Sequence, residues 1–336
     1  MRQSGIDPII LDAGDLFFST RKLTPINKDS ELYRASAVLE GFDKIGCDAI
    51  NVGQYELLGG LSFLRTMAQK TDIPFVSANL RDSKTLKLVF EPYRIFNRGE
   101  LEIGVIGLTD KVPDTSKSVV SEDYLEIGKK YIDDLREQVD IVIVLVNSDR
   151  KTYEKLPKEF EKADFILTSG STFLTRPNNP QKEGGPYLYS LGKQGKYLHV
   201  LSLDLQDSNQ NFVNMSIHQN KVKSVERRFD KLQKQDPGKP LEEIYADQKN
   251  VLSLIEKYKT ELAEANAAME SAVNTFKYET IALSKKIRDD PNLLAFVDES
   301  LAACSSLKNQ KVNMDRPKGF KKKRKKKTVK NPPNPS

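Results

Sequence analysis

Soft metal ligands are scarce in this 336-residue chain, which holds two cysteines, Cys47 and Cys304, and two histidines, His199 and His218. The cysteines lie far apart and in no CxxC or CxxCH spacing. A disulfide framework, a zinc ribbon and c-type haem attachment therefore have no support. Cys47, in KIGCDAI just before a strand, reads as a small buried residue. No apolar run reaches 18 residues, so no membrane-spanning helix is expected, and no signal peptide is legible after Met1. GxSxG, Walker A, HExxH and GxGxxG patterns are missing from the contexts that would give them meaning.

Apolar residues make up 38% of the chain and charged residues 30%. That balance suggests a globular part joined to a helical or solvated part. The charge is unevenly placed. Residues 311–336 carry eleven Lys/Arg against the single Asp315, so the tail is +10 where the whole chain is +6, and the other 310 residues are about −4. GFKKKRKKKTVKNPPNPS is of low complexity and is expected to be disordered. It is read either as an attachment to anionic phosphates of nucleic acid or membrane, or as a solvated tail.

From residue 8 to about 222 apolar runs alternate with helix-compatible stretches. PIILDAGDLFF, DAINVG, PFVSANL, LEIGVIGLT, VDIVIVLVN and ADFILTSG are near-continuous β-branched runs, as in a sheet covered on both faces. ELYRASAVLEGFDKI, LSFLRTMAQ, YLEIGKKYIDDLREQ and KTYEKLPKEFEKA suit helices between them. EPYRIFNRGELEIGVIGL predicts a hairpin turning at Asn97-Arg98-Gly99, and FVNMSIHQNKV is read as a last strand, with His199 and His218 both on late strands. The expected layout is an α/β domain over 1–228, a turn-rich linker over 229–240, a helical module over 241–310 and the basic tail. In the module a heptad runs from Leu241 to Phe276, broken at Gln248, and predicts one long helix to about Asp290. NLLAFVDESLAACSSL is expected to fold back on that helix, with self-association through 241–290 as the alternative.

The ordered series ILDAGDLF, DAINVGQYE, SANL, VIGLTD, VDIVIVLVN, ADFILTSGST and LGKQGKYLHVLSLDL resembles the metallophosphatase domain of the 5'-nucleotidase family, over about residues 8–206. That family is one of the calcineurin-like metallophosphoesterases. The heptad region with its Asp-Asp-Pro end is similar to a bacterial, UshA-like branch in which helices replace the nucleotide-specificity domain. The resemblance implies a four-layer αββα sandwich, a cell-envelope location (cytoplasmic as the alternative), and two bridged metal ions that activate a water.

Taken position by position, the resemblance makes Asp15 of Gly14-Asp15 the bridging carboxylate. Gln54 stands where the family has a metal-binding Asn, Tyr55 where it has the catalytic His, and Glu56 fits the carboxylate closing that motif. Asn147 falls at a lone His ligand, while Gly170 and Thr172 fall at the two His of Gly-His-x-His. A tyrosine hydroxyl is a poor acid at neutral pH, and no imidazole remains in place. The family's Asp-x-His strand is not seen before RQSGIDPIILDAGD, which reads as an incomplete start. Ser169, Ser171 and Thr172 form a hydroxyl-rich loop, readable as an anion cradle or as an ordinary polar loop. Three functions follow as expectations. The first is a degenerate 5'-nucleotidase-like protein that acts by binding and has no firm cofactor. The second is a metal-dependent phosphohydrolase with a rebuilt site and a divalent ion, and the third a helix-mediated interaction protein with a phosphate-binding tail.

Overall fold

Leu11–Asp12 opens the ordered chain as β1, and a loop leads to helix α1, Lys28–Ile45, which Gly46 ends in the left-handed conformation that glycine favours. Then follow β2 (Ala49–Asn51), α2 (Leu61–Ala68), β3 (Phe75–Val76), β4 (Leu80–Asp82) and the hairpin β5–β6 (Tyr93–Arg98, Leu101–Thr109). The hairpin turns at Gly99-Glu100, one residue later than expected, because Arg98 pairs with Leu101 and Gly99 supplies the positive φ of 62°. After β7 (Val119–Ser121), the side chain of Asp123 caps α3, Tyr124–Arg136. β8 (Ile141–Asn147), α4 (Leu156–Glu159), β9 (Phe165–Ser169), β10 (Tyr187–Ser190) and β11 (Tyr197–Asp204) complete the α/β alternation. The computed structural model describes residues 5–113, 116–177, 179, 181–192 and 195–314, without the side chains of 311–314. Most of the tail therefore lies outside the described residues.

The central sheet has the order β10-β9-β8-β6-β5, parallel except for β5. On one face α3 and α4 cover Ile106, Leu108, Val142, Val144 and Ile166. The other face meets a second layer built from β1-β2-β3 and from a further three-stranded sheet. α1 and α2 cover the outside of β2 and β3 through Ala35, Leu39, Leu64 and Met67. The result is the expected four-layer α/β sandwich.

The last third departs from expectation. β12 is only Phe212–Asn214; Asn214 then accepts the Ile217 N–H and starts α5, Met215–Gln233. His218 is thus on a helix, and α5 runs straight through the anticipated boundary at 228. The predicted 241–290 helix is divided into α6 (Leu241–Ile244), α7 (Lys249–Glu270) and β13 (Asn274–Ala282). β13 enters between β11 and β12, antiparallel to one and parallel to the other. Its alternation puts Phe276 and Tyr278 into an aromatic cluster with Phe165, Tyr187, Tyr189 and Phe212. Tertiary burial of one face overrides a heptad pattern that Phe276 happened to continue.

α7 packs on α5, with Ile255 and Ala265 buried, Phe229 edge-on to Tyr258, and Arg228 lying 3.7 Å from Glu261. Ile255 and Ala265 of the heptad seam therefore pack within the chain. α8 (Pro291–Met314) does not return to α7 but lies along α1. There the Cys304 thiol faces the Ser30 carbonyl at 3.6 Å, and Lys44 sits over the Phe296 ring. Among the described residues no helix is long and apolar enough to cross a membrane.

Candidate functional site

The C-terminal ends of β1, β2, β8 and β9 converge, and the loops that leave them carry the candidate residues. Gly14 takes φ 100°, and a Cβ there would meet the Gly53 nitrogen at 2.8 Å; the two loops approach this closely only because both positions are glycine. A Cβ on Gly53 would lie 2.6 Å from the Asp15 nitrogen and 2.9 Å from Asn147 Nδ2. Asp15 itself has φ 65°, a left-handed conformation unusual for a residue with a side chain.

Glu56 holds that conformation. It is fully buried at the start of a short 3₁₀ turn, Tyr55–Gly59. Its Oε2 accepts the N–H groups of Asp15 and Gly53, each at 2.8 Å, and its Oε1 accepts those of Leu16 at 2.6 Å and Phe17 at 3.2 Å. Burial and the neighbouring Asp15 push its carboxyl upward, and the N–H donors pull the other way. Asp15 is raised by burial and drawn down by the Tyr55 N–H, which its Oδ1 accepts at 2.9 Å, and by Asn147. Asp12 is pushed up to about 6 by burial, against the pull of the Gly14 N–H.

Asn147, buried at the end of β8, is committed on both sides of its amide. Oδ1 accepts the Gln54 N–H at 2.9 Å, and Nδ2 donates to Ser169 Oγ at 2.7 Å. Ser169 Oγ in turn donates to the Ala13 carbonyl at 2.6 Å. The structure thus brings Asp15, Gln54, Tyr55, Glu56, Asn147 and Ser169 together. Gln54 and Tyr55 join through their backbone N–H groups. Ser171 Oγ is occupied by the Tyr153 hydroxyl and the Phe173 N–H, and Thr172 is exposed, so the serine-rich loop is tied into the fold rather than opened as a cradle. Sequence reading missed Tyr153 and Asn51. Asn51 Nδ2 donates to the Ala13 and Leu108 carbonyls, each at 3.0 Å, and its only signal was a polar residue closing an apolar strand.

Both histidines lie away from the cluster. His199 on β11 has its Nε2 3.0 Å from the Tyr278 hydroxyl, and burial pushes it down to about 4. Because the Tyr278 proton goes to the Thr175 carbonyl at 2.8 Å, His199 Nε2 is the donor of that pair. His218 on α5 is buried, 3.8 Å from Glu183. Among the described residues no group of three or more His, Cys, Asp and Glu side chains is placed to hold a metal ion.

No protein-family model matches the chain. Its fold is similar to that of the calcineurin-like phosphoesterase YfkN from Bacillus subtilis, with a TM-score of 0.56 at 14% identity, covering 90% of this chain and 85% of that one. The class is thereby defined as the calcineurin-like metallophosphoesterase fold. In sequence the chain is 34% identical over 129 residues to a 5'-nucleotidase of Vibrio cholerae, and 30% identical over 155 residues to Protein UshA of Salmonella pullorum. These matches cover 35% and 44% of this chain, but only 23% and 25% of the relatives' own length. Within that class, the sequence similarity over this part of the chain is to 5'-nucleotidases and UshA proteins.

Proposed function

We propose that this protein keeps the 5'-nucleotidase-like fold without efficient two-metal phosphoesterase chemistry, and acts by binding. One observation carries this reading. Both oxygens of Glu56, Oδ1 of Asp15 and Oδ1 of Asn147 are engaged in hydrogen bonds to the protein itself. Glu56 accepts four backbone N–H groups, Asp15 accepts the Tyr55 N–H, and the Asn147 oxygen accepts the Gln54 N–H. A two-metal centre needs several anionic or imidazole ligands converging on open positions. The residues present do not fit that requirement, because Asp15 stands without a histidine and the Asn147 amide oxygen is taken. A family resemblance alone supports a place at the cell envelope.

The test is elemental analysis of the full chain after incubation with Mn²⁺, Zn²⁺ and Fe²⁺ and desalting, alongside hydrolysis of p-nitrophenyl phosphate. The expected result is well under one retained metal per chain and no hydrolysis above buffer with metal. Two metals per chain, lost in Asp15→Ala together with hydrolysis, would establish a rebuilt catalytic centre instead.

A further inference from the structure

α1 and α8 enclose a cavity of about 360 Å³ that plays no part in the strand-end cluster. Its walls include Ser19, Glu31 and Arg34 from the first loop and α1, and Cys304, Ser305 and Lys308 from α8. The polar inventory is unbalanced. Glu31 is buried, and its two oxygens accept the Ser19 N–H at 3.0 Å and the Ser19 hydroxyl at 2.8 Å. It forms an ion pair with Arg34 Nε at 3.6 Å, a separation too long for a hydrogen bond. Arg34 Nε is inaccessible to solvent and has no hydrogen-bond partner. Ser305 spends its proton on the Leu301 carbonyl. Lys308 brings a second cation to the same cavity from the other helix. Glu31 offsets part of the Arg34 charge through its ion pair without closing a hydrogen bond at Nε, and the Arg34 side chain remains about a third exposed, so its guanidinium keeps N–H donors for a further acceptor.

We propose that this α1–α8 cavity binds a phosphate-type oxyanion, held between the Arg34 guanidinium and the Lys308 ammonium. The guanidinium presents a fork of N–H donors matched to two oxygens of such an anion, and the ammonium adds a point charge. Two cations against one already hydrogen-bonded carboxylate leave the cavity net positive. Its volume exceeds that of a bare phosphate, so the site takes either inorganic phosphate or the phosphate end of a small phosphomonoester. Bound there, the ion links α8 to α1 and so fastens the helix that leads into the basic tail. This site is independent of the proposed loss of metal chemistry.

Cys304 supplies a local reporter, because its buried thiol borders the cavity and burial pushes it toward the protonated form. Alkylation of the folded full chain by iodoacetamide is followed at Cys304 by peptide mass spectrometry, with Cys47, buried in a different core, as internal reference. Inorganic phosphate, glycerol 3-phosphate and, as controls, acetate and chloride at matched ionic strength are the probes. At ten times its dissociation constant a bound anion slows Cys304 about tenfold, since only the free fraction reacts, and leaves Cys47 unchanged. Lys308→Gln, an exposed substitution that leaves the core intact, reduces the protection below about twofold, and Arg34→Gln abolishes it. Whichever of phosphate and its ester protects at the lower concentration identifies the source. No protection by either, equal slowing of both cysteines, or undiminished protection in Lys308→Gln would overturn the proposal, the last by placing the ion elsewhere on the chain.

Discussion

Replacing Glu56 by glutamine tests the internal hydrogen-bonding argument directly. The substitution keeps volume and shape, but turns one acceptor oxygen into an NH₂ group. Each Glu56 oxygen accepts two backbone N–H groups. Whichever way the amide points, two buried donors lose their acceptor and face two further N–H groups. At roughly 1–3 kcal/mol for each unsatisfied buried donor, the variant is less stable by about 2–6 kcal/mol. That is a large share of the ~5–15 kcal/mol that holds a typical domain together. With a urea slope of about 3 kcal/mol/M, the unfolding midpoint falls by roughly 1–2 M. The experiment is urea unfolding of both proteins, followed by circular dichroism at pH 6 and at pH 9. Four donors on one carboxylate leave no lone pair facing an acceptor for a carboxyl proton, so the penalty is expected at both pH values. A penalty below about 0.5 kcal/mol at pH 9 would refute the role given to Glu56. One confined to pH 9 would show that Glu56 is protonated at pH 6, and that burial outweighs the four donors.

Three further outcomes follow from the same structure. Phe276→Ala, emptying a site only 1% exposed at the centre of the aromatic cluster, should cost about 3–5 kcal/mol in thermal or urea unfolding. A cost under 1 kcal/mol would mean that β13 is not packed there. His199, pushed down to about 4 in the fold, must be charged in the unfolded chain before it is charged in the native one. It contributes stability above pH 6.5 that is lost as pH falls toward 4, at most roughly 3 kcal/mol. His199→Gln should flatten that limb, and an unchanged pH profile would exclude His199 as its source. Asp12, pushed up to about 6, acts oppositely: its share is present below about pH 4 and disappears as pH rises through 6, so Asp12→Asn should remove a decline in stability over that window.

Much of the sandwich was legible because buried parallel strands carry a near-continuous apolar signal. β6, β8 and β9 fall where LEIGVIGLT, VDIVIVLVN and ADFILTSG place them. The order of polar strand ends likewise named residues that the fold brings together, since residues at the C-terminal ends of neighbouring strands converge whatever their roles. Sequence did not reveal how those residues are used. Asn147 and Gln54 are both amides with ligating oxygens, and only the fold turns the Asn147 oxygen onto the Gln54 N–H.

The C-terminal third marks the clearest limit. Local periodicity alone made 241–290 a helix, and through Glu270 α7 obeys it. Asn274–Ala282 are drawn into the sheet because β11 and β12 offer unpaired edges to β13, and because Phe276 and Tyr278 find an aromatic core there. Those partners lie some 60 to 110 residues away in sequence, beyond the reach of any local pattern. The same holds for the α1–α8 cavity, where Arg34 and Lys308 meet only because α8 chose α1 rather than the heptad helix. The amino-acid sequence by itself determined the strand-and-helix alternation, the acidic body and the basic tail. Tertiary packing decided which helix pairs with which, and which oxygen atoms remain free.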